Sequence, residues 1–421
     1  MMADASRERQ RADDCSVSAG IFRSDYMLHC HSHSVDSSGD ARPQGSIHET
    51  VLKQVEFNAF SCSGAAHAHK VSEMHRYLSR TGAYNTAQDD EASGRTVDPA
   101  ALPSNNNVES LASALAAAHD IYGPPKSKQA RQSAVLFIVQ PNNFNIADER
   151  PIEYALWNRV PPVPAYRLDW GEDVLSYTRL TESRELLFHP PWLGCASPVE
   201  ISVVYMRAGY ERYEYSGTGW ELRARLEKSA AIKCPSILSH LSTFKKVQQA
   251  LTMPGTLERF LSVGKAAALR DTFVAIHPLD DSDAGLYARK LATDSTQAAN
   301  FILKPSLEGG GHNIYGAAIP DFLSKILRSE WSKYILMECI KPPYVMNALM
   351  GPAGIDAGEV VSELGVFGAC LWRKSSECSR TPELLQNSVA GWTFKTKHAD
   401  IDEMSVVKGH GCFDTPRLVD C

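Results

Sequence analysis

"FILKPSLEGGGHNIYG", residues 301–316, sets three adjacent glycines between a Lys-Pro pair and a segment that ends in Asn and Tyr. The apolar run Phe301-Ile302-Leu303 leads in as a strand would. Glycine loses more backbone freedom on ordering than any other residue, so three in a row carry an entropic cost. Two readings account for them: a hairpin turn between two strands, or a lid whose backbone N–H groups close over an anion. The spacing is neither the phosphate loop G-x-x-x-x-G-K-[ST] nor the dinucleotide turn G-x-G-x-x-G. Charges on nearby apolar runs favour the lid. Lys304 ends the first strand, Glu338 sits inside "YILMECI" (334–340), and Glu363 sits inside "VVSELGVFGACLW" (360–372). Charges on buried strands are costly unless paired or liganded. A nucleotide with its metal would answer all three, since ammonium groups meet phosphate and carboxylates hold magnesium.

Composition narrows the partners. The 421 residues are 43% hydrophobic, enough for a large core split into two or more units. Lys and Arg number 43 against 49 Asp and Glu, a net charge of −6, so no global field draws nucleic acid. No basic tail or aromatic-basic stripe suggests a nucleic-acid surface either. The start "MMADASRERQRADD" lacks the apolar core of a secretory signal, and the longest apolar run, Ala134–Val139, is too short to cross a bilayer. A cytoplasmic protein without a membrane partner is expected. The ten cysteines form no C-x-x-C pair, so they read as core or surface thiols. The histidines of "HCHSH" (His29, His31, His33) and the pair His67/His69 read as loop, with no second ligand cluster to complete a metal site.

Along the chain, helical and strand patterns alternate. "SLASALAAAHDIYG" (110–123) predicts a helix, "AVLFIVQ" (134–140) a buried strand, and Pro151–Trp157 a helical stretch. A strand is expected at 199–207 and helices at 220–233 and 241–251. Strands follow at 334–340 and 360–372. The polar Asn85–Asn107 reads as a mobile surface insertion. Such alternation predicts an α/β or α+β fold.

Six ordered blocks then carry a resemblance: "RSDYM", "KQVEFNAFSCS", "AIKCPSILSHLSTFKKVQQAL", "LKPSLEGGGHNIYG", "KYILMECIKP" and "SELGVFG". Together they resemble the eukaryotic glutathione synthetase family, from about Gly20 to Asp414. The resemblance implies an ATP-grasp-type catalytic domain with an inserted α/β substrate-binding domain. Its units would be 20–131 (shortened at its start relative to the family), 132–246 for substrate binding, and 247–421 for ATP with the glycine-rich lid. It implies ligation of γ-L-glutamyl-L-cysteine to glycine through an acyl phosphate, with ATP, Mg2+ and a homodimer.

Site residues follow from the same likeness. Lys245, Lys304 and Lys397 would lie along the ATP phosphates, and Glu56, Asn58 and Glu308 would hold magnesium. The E-x-N spacing of Glu56 and Asn58 puts both side chains on one face of a strand. Gly309, Gly310, Gly311, His312, Asn313 and Tyr315 would close over the nucleotide, with Met337, Glu338, Cys339, Ile340 and Glu363 around adenine and ribose. For the other substrates the likeness points to Arg23, Phe60, Ser61, Cys62, Ser63, Asn143, Asn145, Glu149, Arg207, Tyr210, Lys395, Val406 and Val407, with Arg207 and Lys395 in catalytic roles. Arginine suits a dipeptide bearing two carboxylates. The chain departs from the family at Lys395, where an arginine is usual, at Asn143 for Glu, at Glu149 for Gln, and in "MSVVKG" (404–409). Those departures leave two alternatives open: a catalytically impaired paralogue that binds ATP or acts as a non-catalytic dimer subunit, and a relative with a different acceptor amino acid.

Overall fold

The computed structural model describes residues 17–30, 33–35, 41–43, 50–84, 97–143, 145–194, 197–306, 312–351, 354–374, 382–406 and 409–418. Three larger sheets organise them, besides a two-stranded ribbon of His33–Val35 and Ala41–Pro43. The largest is antiparallel and draws on both ends of the chain: Cys412–Asp414, Glu383–His398, Gly354–Arg373, Val17–Cys30 and Thr50–Asn58 lie side by side in that order, and Val345–Gly351 pairs with Gly354–Arg373 off this path. Period-2 alternation runs through Gly354–Arg373, where Val361, Glu363, Gly365, Phe367, Ala369 and Leu371 are all buried. The far end of that face, Phe367 to Leu371, joins Ala19 and Ile21 in a core packed with the Ala/Leu helix Asn107–Tyr122.

The middle of the chain forms a second sheet. Ser133–Val139 is buried along its whole length because it pairs in parallel with Ala165–Asp169 on one side and Val199–Met206 on the other. Leu186–Phe188 and Thr178–Leu180 extend the sheet antiparallel, and Ile232–Cys234 adds a parallel strand to Val199–Met206. A third, four-stranded antiparallel sheet runs Ile276–Pro278, Tyr334–Glu338, Phe301–Pro305, Ile314–Tyr315. Its register, Ile302 opposite Tyr315 and Leu303 opposite Ile314, gives the glycine-rich stretch the flanks of a β-ribbon. Mixed α/β architecture is as the alternation indicates.

Several local expectations differ. The helix expected over 220–233 stops at Lys228, where Ser229 bonds back to Leu226 O and accepts from Lys233; pairing in the parallel sheet then draws Ile232–Cys234 into a strand. The helix expected over 241–251 breaks at Ser242–Phe244 into Ile237–Leu241 and Lys245–Thr252. Residues 85–96 of the expected insertion lie outside the described residues. Its end is anchored rather than mobile: Asn105 and Asn107 are buried and both donate to Trp392 O, at 2.8 and 2.9 Å. His29 lies in a strand and accepts from the backbone of Lys341, and His67 and His69 lie on the helix Ala65–Arg80, so none of the three is loop.

Candidate active site

The core face of the large sheet becomes a cavity wall toward its other end. Continuing the alternation past Phe367 and the buried Gly365 brings Glu363 and Val361 to the surface of a cavity of about 560 Å³. Past Ile21, the neighbouring strand carries Arg23, Asp25 and Met27 on the same face, with Arg23 and Met27 lining the cavity and Asp25 buried beneath it, and Thr50–Asn58 presents Glu56 and Asn58. Register sets the pairs: Arg23 faces Asn58, Asp25 faces Glu56, and Glu363 faces Lys395. Asn58 Nδ2 donates to Glu56 Oε1 at 3.1 Å, so the two side chains do share one face.

The third sheet supplies the opposite wall. Lys304, Asn313, Tyr315, Met337, Glu338, Cys339 and Ile340 line the cavity there. Phe60, Ser61, Cys62, Ser63, Asn145 and Tyr210 close one end, and Lys245, Lys395, Lys397 and Val406 complete the wall. Four expected residues do not line it. His312 is exposed, while Asn143, Glu149 and Arg207 stand behind the wall. Glu308, Gly309, Gly310, Gly311 and Val407 lie outside the described residues. Glu338 is exposed rather than buried, because it ends its strand at the cavity mouth, so it was not a buried charge in need of a ligand.

Charge is arranged in two kinds. Some groups are closed on themselves. Arg23 donates to both oxygens of Asp25 at 2.7 Å, Lys245 Nζ meets Glu56 at 2.9 Å, and Lys395 is ion-paired with Glu363. Burial works against the Glu56 carboxylate, but Lys245 and Lys304 outweigh it and hold its pKa well below the usual range. Burial pushes the Glu363 carboxyl up despite Lys395. Lys304 and Lys397 differ. Each is buried, and each donates only to a backbone carbonyl among the described residues, Val55 at 3.2 Å and Ile401 respectively. Burial lowers both ammonium pKa values, with Glu56 and Asp402 as the leading opposing charges. Two buried cations with no bonded counter-ion among the described residues, in one cavity, form a site for an anion.

Sequence reading missed part of this wall. Asp25 bridges Arg23 and Asn58, yet reads as an ordinary polar strand residue. Asp402, Glu403, Met404 and Ser405 line the cavity from a polar loop with no periodicity to mark them. For Asp25 a signal existed: it sits at the i+2 position from Arg23, on the same strand face.

Comparison with known proteins identifies the class. A family model described as eukaryotic glutathione synthase, ATP binding domain, matches residues 4–418. The glutathione synthetase large chain of Schizosaccharomyces pombe is 33% identical over 412 residues, covering 96% of this chain and 75% of the relative. Glutathione synthetase of Homo sapiens is 32% identical over 405 residues, covering 95% of this chain and 75% of the relative. Among solved structures, a glutathione synthetase-like effector from Globodera pallida in its apo form superposes with a TM-score of 0.68. It is 19% identical and covers 99% of this chain and 81% of that chain, which shows the fold alone. The class is that of an ATP-dependent ligase. The chain belongs to the eukaryotic glutathione synthase family.

Proposed function

We propose that the chain joins γ-L-glutamyl-L-cysteine to glycine, driven by ATP, and that the cavity above is where it does so. The observation that carries this reading is the pair of buried ammonium groups, Lys304 and Lys397, facing one cavity with no carboxylate hydrogen-bonded to either among the described residues. They suit the triphosphate, with Lys245 beside them, while Met337–Ile340, Glu363, Asn313 and Tyr315 enclose the base and ribose. In the reaction the cysteinyl carboxylate attacks the γ-phosphorus and ADP leaves. The glycine amine then attacks the acyl carbon, gives up a proton, and phosphate departs. No protein nucleophile is required; the side chains position the reactants and neutralise charge.

Magnesium fits the residues present. Glu56 and Asn58 offer hard oxygen donors on one strand face, and Glu56 is held ionised, as a magnesium ligand must be. They would hold the ion with Glu308, and when bound it supplies charge compensation between phosphate oxygens. We further assign 20–131, 132–246 and 247–421 as the working units, a homodimer as the assembly and the cytoplasm as the location. Among the described residues no helix is long and apolar enough to cross a membrane.

One observation favours a second reading, a relative with a different acceptor amino acid. Lys395 is occupied by Glu363, and Val406 borders the cavity where the family has small residues. The test is phosphate release from ATP and Mg2+ with γ-glutamylcysteine, with glycine present, absent, or replaced by serine or β-alanine. Steady release that requires both the dipeptide and glycine is expected. Release that rises only with another amine would establish the second reading, and no release with any amine would overturn the ligase assignment.

A further inference from the structure

Behind the Phe60–Ser63 end of the cavity stands a buried charge cluster. Arg207 is 3% exposed, Asp148 2% and Glu149 1%. Arg207 Nε donates to Glu149 Oε1 at 3.1 Å, one terminal nitrogen reaches Asp148 at 3.3 Å, and the other donates to Cys62 O at 2.6 Å. The second oxygen of Glu149 accepts from Asn143 Nδ2 at 2.6 Å and lies 3.6 Å from Arg167. Asp148 is committed elsewhere as well, accepting from the backbone of Gly64 and Ala66 at the start of the helix Ala65–Arg80. Each nitrogen of the Arg207 fork therefore has a partner inside the protein. The fork braces the cavity wall through Cys62, next to Ser61, whose φ of +46° is a strained value for a non-glycine residue.

We infer that Glu149 is a specificity-determining residue, filling the guanidinium fork of Arg207 from within, so that the cavity does not read a second substrate carboxylate there. This rests on the dipeptide reading above. The reacting carboxylate must lie by Lys304 and Lys397, at the nucleotide end. The remaining end of the dipeptide then points toward Phe60–Ser63, Asn145 and Tyr210, the wall that Arg207 supports. A glutamyl α-carboxylate arriving at that wall has behind it a cation already matched by Glu149, and gains little from it. Substrates of this chain are thus γ-linked aminoacyl-cysteines with or without the α-carboxylate.

The experiment measures dissociation constants for γ-glutamylcysteine and for 4-aminobutanoyl-cysteine, which lacks only the α-carboxylate. Both are titrated calorimetrically into the full chain with Mg2+ and a non-hydrolysable ATP analogue, for the parent and for Glu149→Gln. The parent is expected to bind both ligands within about threefold of each other. Glu149→Gln removes the negative charge that matches the fork while keeping an acceptor for Nε, and is expected to shift the ratio toward γ-glutamylcysteine by about tenfold. A general structural effect would weaken both ligands together and leave the ratio alone. A parent that already favours γ-glutamylcysteine tenfold overturns the inference, as does an unchanged ratio in the variant. The parent's ratio decides the matter by itself if Glu149→Gln does not fold. Failure of either protein to bind either dipeptide, with the ATP analogue still bound, overturns the dipeptide reading and this inference together.

Discussion

His240 lies with its ring 4.1 Å from that of Phe60, a cavity residue, and its Nδ1 has no hydrogen-bond partner among the described residues. Burial, with Arg223 adding to it, holds its pKa down to about 3, so it stays neutral at any ordinary pH. In the unfolded chain the same ring titrates near 6.5. Because the folded value is depressed, the unfolded state binds the extra proton first as pH falls. The stability is complete above 6.5 and drains between 6.5 and 3. From pH 7 to pH 5 this single residue costs about 2 kcal/mol of unfolding free energy. Denaturant titrations of the parent and His240→Gln at the two pH values measure it. The variant is expected to lose about 2 kcal/mol less than the parent on acidification, and equal losses in the two proteins would refute the assignment. Nothing in the sequence announced this histidine: it sits in the short helix Ile237–Leu241, and only tertiary contact with Phe60 and Arg223 removes it from water. Lys304 and Glu363 were legible for the opposite reason, since a charge within an apolar strand pattern contradicts its own neighbours.

At the scale of the strand, Gly365 permits the site to form. It lies in Gly354–Arg373 opposite both Asp25 and Thr393. A Cβ placed there would meet Thr393 Oγ1 at 2.4 Å and Asp25 Oδ1 at 2.6 Å. The methyl group has nowhere to go, because Asp25 is fixed by both nitrogens of the Arg23 fork. Gly365→Ala should therefore displace Asp25 and unseat Arg23 and Asn58 together, costing about 1–3 kcal/mol by overpacking. Thermal unfolding and dipeptide affinity should both fall, and an unchanged midpoint would show that the strand has slack we do not see. Strand patterning made this element readable, since its alternation from Val361 to Leu371 is uninterrupted. The helices around 220–251 were harder. Their composition is helical throughout, and it is pairing with Val199–Met206 that turns Ile232–Cys234 into a strand. Local propensity carries no information about which edge is vacant. The glycine-rich stretch itself proved to join two paired strands, so ribbon geometry at its flanks and a lid over phosphate are compatible rather than rival descriptions.

Across the whole molecule, the cavity is where separate parts of the chain meet. Lys304 comes from the four-stranded sheet, and Lys397 and Glu56 from the sheet built by both chain ends. An anion held between them ties those bodies together, so nucleotide binding should stabilise the fold as a unit. Linkage sets the scale: at a ligand concentration of about 100 times Kd, the gain is about 2.7 kcal/mol. Lys304 offers a way to separate this from ordinary packing. In the empty protein its ammonium is buried, its pKa lowered first by that burial, and among the described residues its hydrogen bond runs to Val55 O. Replacing it with Met keeps most of the volume and removes the desolvation cost of the buried ammonium, while Glu56 keeps its bonded cation, Lys245. Lys304→Met should thus leave the thermal midpoint of the empty protein equal to the parent's or above it. With an ATP analogue and Mg2+, the parent's midpoint should rise while the variant's stays nearly fixed. Should Lys304→Met show the parent's full nucleotide-dependent rise, the ammonium does not touch the phosphates, and the nucleotide lies elsewhere in the cavity.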